Sequence, residues 1–144
     1  MAHQRKTIRD AVITTLTGLS TTGSRVFNSR VYPNEESKLP CLNVFTLSEA
    51  VELDSVKSTI RSLELVVEGF ASANSNIENT LDTIATEVEE ALGSDTSLSN
   101  TCQSHNITNT EITLANEGSL PIGVVRLVFN VIYRTTQADV ETQI

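Results

Sequence analysis

Apolar residues recur along this chain with two distinct periods, and the periods predict its elements. Ile8, Val12, Thr15, Leu16 and Leu19 fall at spacings of four, three, one and three, which keeps them on one face of a helix from about Gln4 to Leu19. Gly18 and the Ser20–Gly23 cluster end it. Arg25 to Tyr32 reads as a short extended segment broken by Pro33-Asn34-Glu35-Glu36. Pro40 to Leu47 reads as a strand with Leu42, Val44 and Thr46 on one face and Cys41, Asn43, Phe45 and Leu47 on the other. Thr59 to Phe70 alternates more clearly, with Leu63, Leu65 and Val67 opposed to Ser62, Glu64, Val66 and Glu68. Between these two strands, Ser48–Ser58 is polar, acidic and free of Gly. It reads as a long projecting hairpin loop, or as two strand ends that extend beyond the sheet, and not as a tight turn.

The period then returns to that of a helix. Ile77, Leu81, Ile84, Ala85, Val88, Ala91 and Leu92 lie within an arc of about 120°. Ser75 and Glu78 are spaced as a capping box, and Gly93 is placed to end the helix in the left-handed conformation. Thr101 to Ala115 is a strand of weak amphipathicity, followed by an Asn116-Glu117-Gly118 turn. Ile122 to Arg134 is the longest strand, with Val125, Leu127, Phe129, Val131 and Tyr133 on one face. Val124, Val128 and Ile132 make the second face apolar as well, so this strand is central or covered on both sides. The order is α-β-β-β-α-β-β: an α+β fold, a mainly antiparallel sheet with two packed helices. Which sheet face meets the helices stays open. One domain over residues 1–144 is expected, with a core at about 4–135 and a polar, flexible tail without a clear partner at 136–144.

Composition narrows the function. A chain of 144 residues buries roughly 68–70% of its unfolded surface and needs no disulfide or metal staple. No apolar run approaches the ~20 residues of a membrane span, and no apolar region follows the charged N-terminus as a secretory signal would require. Cys41 and Cys102 have no partners at metal-ligand spacing and read as free thiols, buried or half-buried. His3 sits at the frayed start and His105 on a polar strand. There is no Gly-rich phosphate loop and no G-x-S-x-G elbow, and the carboxylate pairs Glu35-Glu36 and Glu89-Glu90 are adjacent and do not converge. No catalytic residue, metal ligand or cofactor is expected, and the chain does not read as an enzyme.

The charge of −8 is unevenly placed. Residues 1–30 carry Arg5, Lys6, Arg9, Arg25 and Arg30 against Asp10 alone, whereas residues 62–125 carry ten acids and no Lys or Arg. Such a chain is a poor general nucleic-acid binder. Arg5, Lys6 and Arg9 crowd the start of the first helix, and Glu87, Glu89 and Glu90 the end of the second. Both sets oppose their own helix dipole. They are either solvated faces or charges that answer a partner, such as a neighbouring copy. With Glu49, Glu52, Asp54 and Lys57 of the 48–58 segment, they form the candidate interface residues.

Taken together, the pattern resembles the tail terminator proteins of long-tailed phages, the lambda-type minor tail protein family. The resemblance rests on Ile8-Arg9-Asp10-Ala11-Val12, Val26 to Tyr32 with its Arg30-x-x-Pro33, Leu39-Pro40 before Leu42-Asn43-Val44-Phe45, the Arg61–Val67 strand, the acidic helix Leu81–Leu92 and the final strand Gly123–Tyr133. It spans residues 4–135. A composition with 45 Ser, Thr and Asn residues and no Trp is also similar to that of phage virion proteins. The resemblance implies a homo-oligomer, monomeric until assembly, that forms a six-fold ring on the head-proximal end of the tail tube. The ring stops tube growth and docks the head-tail connector, with DNA only in transit through the lumen and no membrane or catalytic role. Assembly would take place in the host cytoplasm. Another neck, head-completion or tail tube protein is the alternative within that context, and a cellular α+β binding module the alternative outside it.

Overall fold

The computed structural model describes residues 3–31, 33, 36–73, 76–117 and 120–144. Its elements are α1 (Gln4–Leu16), β1 (Val26–Phe27), a 3₁₀ turn (Glu36–Lys38), β2 (Cys41–Ser55), β3 (Ser58–Ser72), α2 (Ile77–Gly93), β4 (Ser104–Glu117) and β5 (Leu120–Thr136). One five-stranded sheet has the order β1-β2-β3-β5-β4. Every pairing is antiparallel except β1 with β2. The expected order and fold class hold.

Both helices lie on one face of the sheet. Ile8, Val12 and Leu16 of α1 and Leu81, Ile84, Val88 and Leu92 of α2 form one cluster with Leu42, Val44, Leu63, Leu65, Val67 and the Val125–Tyr133 face of β5. Each large side chain buried there contributes about 1.5–3 kcal/mol. Gly69 on β3 lets α2 approach closely: a Cβ there would stand 2.7 Å from Ile84 Cγ2 and 3.1 Å from Val125 Cγ1. Neither α-helix lies on the second face of the sheet, yet Cys41, Phe70, Ile122 and Val124 are buried on it with Leu39 packed against them, and Phe45, Val66 and Val128 form a further cluster. The apolar second face of β5 belongs to this layer, so the strand is central and covered on both sides, as its sequence predicts.

Several boundaries differ from the sequence reading. The first helix stops at Leu16, because Thr17 turns extended and Gly18 takes φ +98°. The Arg25–Tyr32 strand shrinks to Val26–Phe27, which pair with Leu42 and Asn43 of β2; Tyr32 lies outside the described residues. Gly93 stays helical and right-handed Ser94 follows it as the C-cap; the left-handed backbone comes later, at Leu98, Ser99 and Asn100. Asp95 and Ser97 side chains accept from the amides of Ser99 and Asn100, which offsets the strain of three left-handed L-residues and lets Leu98 enter the core. Ser75 of the expected capping box lies outside the described residues, and Asn76 is the N-cap. β4 and β5 pair as far as Glu117 and Leu120, so Asn116 and Glu117 are strand and not turn; Gly118 lies outside the described residues.

At 48–58 the structure takes the strand-end reading over the loop: β2 and β3 remain paired to Ser55 and Ser58, but they are closed by a tight two-residue turn, Val56-Lys57, which the sequence reading excluded. Neither turn residue has positive φ; a register shift between Leu53 and Ser55 takes up the twist. β5 pairs with β3 to the same end, through Thr136 with Ser58, so this end belongs to the sheet. The closing segment also finds partners. Gln137 N–H donates to Lys57 O (2.8 Å), Gln4 N–H to Val140 O (2.9 Å) and Ile144 N–H to Arg134 O (3.0 Å).

Candidate functional site

The charged residues singled out from the sequence divide into those the fold pairs internally and those it leaves at the surface. The internal group centres on Glu49, whose side chain is 8% exposed. A register shift after Thr46 places Glu49 opposite Leu63, on the helix side of β2. Arg5 of α1 reaches it at 2.7 Å and Arg61 of β3 at 2.8 Å, and the Tyr133 hydroxyl of β5 donates a short hydrogen bond to its other oxygen. One carboxylate thus ties α1 to three strands. Burial pushes the Glu49 carboxyl up, but the hydrogen bonds from Tyr133 and Arg61 and the charge of Arg5 outweigh it and hold the group below the usual carboxylate range. Burial, and then the hydrogen bond and charge of Glu49, push the Tyr133 phenol up.

His3 is the N-cap of α1, and its Nδ1 accepts from Arg5 N–H at 3.1 Å. Burial, with Arg5 and Arg61 nearby, lowers its pKa and favours the unprotonated acceptor that this bond needs. Lys6 pairs with Asp10 one turn on, at 2.6 Å. Arg9 Nη1 lies 3.4 Å from Thr46 Oγ1. Asp54 lies 3.1 Å from Arg134 Nε. Glu87 accepts from Thr21 N–H (3.0 Å) and Thr21 Oγ1 (2.8 Å), which anchors the loop after α1 to α2. Glu52, Lys57, Glu89 and Glu90 are exposed and make no ion pair among the described residues. The candidate set is therefore not one patch: Arg5 and Glu49 meet, whereas Glu87, Glu89 and Glu90 sit apart on α2.

Arg61 and Tyr133 complete the Glu49 cluster and were not among the candidates. Their signal in the sequence is slight: an Arg beginning a strand motif and a Tyr ending an apolar face. A second grouping also lay beyond reach. Arg30 stands 5.1 Å and Arg126 6.0 Å from the Phe45 ring centre, on the face without helices. Arg126 lies opposite Glu68, which is 4% exposed and whose carboxyl is raised by burial against the pull of Arg126.

The remaining thiols and imidazole are buried or bonded within the fold. Burial raises the thiols of Cys41 and Cys102 to about 11, far from a reactive thiolate. His105 Nε2 bonds the Asp95 carbonyl at 3.0 Å, and its ring meets the Phe129 ring edge-on. Among the described residues no three His, Cys, Asp or Glu side chains gather as metal ligands, and no helix is long and apolar enough to cross a membrane. An open groove of about 580 Å³ beside β1 is lined by Val26, Phe27, Val31, Pro33 and Asn43 among others, with Lys38 as its one charged wall residue among those described. What the fold offers outward is surface: the charges of α2, and the two long outer strands β2 and β4.

The sequence pattern of the family described as phage minor tail protein U matches residues 3–133. The chain belongs to this family. It is a structural protein of the phage tail, and its place is the virion tail. No curated protein matches the chain. The match spans every element through Tyr133, so the family's pattern covers both helix-sheet layers and the Glu49 cluster.

Proposed function

We propose that this minor tail protein is the tail terminator. Copies close into a six-fold ring on the head-proximal end of the tail tube, end its polymerisation and present the docking surface for the head-tail connector. It acts by binding and not by catalysis. DNA crosses the lumen without being read, the dilute chain is monomeric before assembly, and assembly takes place in the host cytoplasm. The observation that carries this reading is the match to the minor tail protein U family over residues 3–133.

The physical requirement is asymmetry. A ring caps a tube when one face fits the tube end and the opposite face does not reproduce it. Six copies joined head to tail close when the rotation per copy is right. The fold has unlike surfaces to offer, with the basic start of α1 at one place and Glu89 and Glu90 exposed on α2. An acidic wall also keeps passing DNA from adhering, within the roughly 10 Å over which charge acts at moderate salt. Adding the protein to polymerising tail tube subunits should shorten the tubes and leave a ring at one end of each. Tubes of unchanged length, or the protein incorporated along them, would contradict the proposal.

A further inference from the structure

Among the described residues, the sheet ends in two edges that are largely without a strand partner. On one side β4 pairs with β5 alone, and every residue from Thr108 to Leu114 is exposed. On the other side β1 covers only Leu42 and Asn43 of β2, and residues 47–55 are exposed apart from Glu49. Such edges are templates for further strands, and soluble proteins blunt them with Lys, Pro or a covering element. Neither stretch contains Lys, Arg or Pro, and the exposed charges on them are the acids Glu52, Asp54 and Glu111. Both instead present aliphatic side chains: Ile112 and Leu114 are 47% and 72% exposed, and Val51 and Leu53 are 50% and 72% exposed. The β4 bulge falls between Ile107 and Asn109, which leaves Ile112 and Leu114 on regular strand, and the β2 register is regular from Glu49 to Leu53, with bulges just before it and just after it.

The two pairs share a face. Ile112 lies opposite Val125 and Leu114 opposite Gly123, where a Cβ would meet Ile77 of α2, so both point to the helix side. Val51 and Leu53 follow Glu49 at intervals of two and lie opposite Arg61 and Thr59, on that same side. The strand directions fit as well. β2 and β5 run one way and β3 and β4 the other. Rotation about an axis along the strands preserves direction and face, so β4 of one copy meets β2 of the next antiparallel, with the helices of both on one side.

We infer that the subunits join edge to edge: β4 of one copy pairs with the free length of β2 of a second copy, and Ile112 and Leu114 meet Val51 and Leu53 across the seam. The occupant is a second copy because the two edges are complementary halves of one seam, matched in direction, face and apolar pairs. A foreign strand would account for one edge and leave the other bare. Repeating the join is heterologous, and closure of the ring removes both edges. The inference rests on the ring reading and names the surface that builds it.

The test uses three full-length proteins: the wild type, V51K/L53K and I112K/L114K. Masses are measured in solution at a concentration where the wild type assembles, and unfolding curves confirm that each variant folds. Each variant alone should be monomeric, and an equimolar mixture should stop at a heterodimer joined by its one intact seam. Rings or dimers from either variant alone, or a monomeric mixture, would overturn the inference while leaving wild-type rings, and the terminator reading, in place. Wild-type open filaments that both variants abolish would keep the seam and overturn the ring. A wild type that never associates overturns both. Hydrogen exchange on the wild type gives an independent readout: amides of 109–114 and 49–53 should slow at least about tenfold on assembly, and unchanged exchange there would overturn the seam.

Discussion

At the scale of single residues, Glu49 shows how charge in a sequence can mislead about where it is used. Its placement among acids in a polar stretch suggested an outward role, and Arg5 at a helix start suggested the same. The fold spends both on each other, across 44 positions, because the register shift after Thr46 turns Glu49 toward α1. Such pairing depends on tertiary register, which local spacing does not encode. Removing the carboxylate leaves Arg61, 12% exposed, without its partner. Glu49→Ala should therefore cost about 3 kcal/mol, the lower end for a broken buried pair because Arg5 is partly solvated. Tyr133→Phe should cost about 1.5–3 kcal/mol, the worth of a hydrogen bond to a charged group. Chemical denaturation measures both, and losses under 0.5 kcal/mol, on the order of a typical surface substitution, would contradict the role given to the cluster. The pH dependence has a definite sign. The folded pKa of Glu49 lies below its unfolded value, so its stabilisation is full above the unfolded value and fades as pH falls through the folded one. Unfolding free energies measured from neutral to acid pH should show this loss in the wild type and not in Glu49→Gln.

At the scale of elements, what was legible followed the strength of the period. The buried face of α2 and the alternation of β3 and β5 were readable because one apolar face repeats over many residues. The end of α1 and the length of β1 were not, since propensity near Gly and Ser clusters does not say which residues find a strand partner. The 48–58 segment stayed open between a loop and two strand ends, and its lack of Gly argued against the tight turn that closes it. Pairing with β3, itself held by β5, makes it strand. Close packing of α2 depends on Gly69. Gly69→Ala should cost about 1–3 kcal/mol, since β-branched Ile84 has no rotamer that yields easily. A shifted denaturant midpoint with an unchanged slope is expected; an unshifted midpoint would mean that α2 moves away freely. Glu90 occupies the last turn of α2, where its charge opposes the dipole. Glu90→Lys should stabilise the monomer by a few tenths to about 1 kcal/mol. If it also weakens assembly, the acid serves the neighbouring copy; if assembly is unchanged, Glu90 is a solvated face.

At the scale of the whole molecule, two helices cover one face of the sheet, chain packs on part of the other, and both edges are left open. Membership in the phage minor tail protein U family places this fold in the tail, and a subunit with two open, matched edges suits an assembly of copies. The candidate site was legible only in outline: the sequence pointed to surface and assembly over catalysis, while the free edges depend on strand order. The assembly proposed for these subunits is a single closed ring. Electron microscopy of the concentrated protein, with its mass measured in the same sample, tests this most directly. Flat six-fold rings with the mass of six copies are predicted, and endless tubes or a persistent dimer would contradict a closed ring.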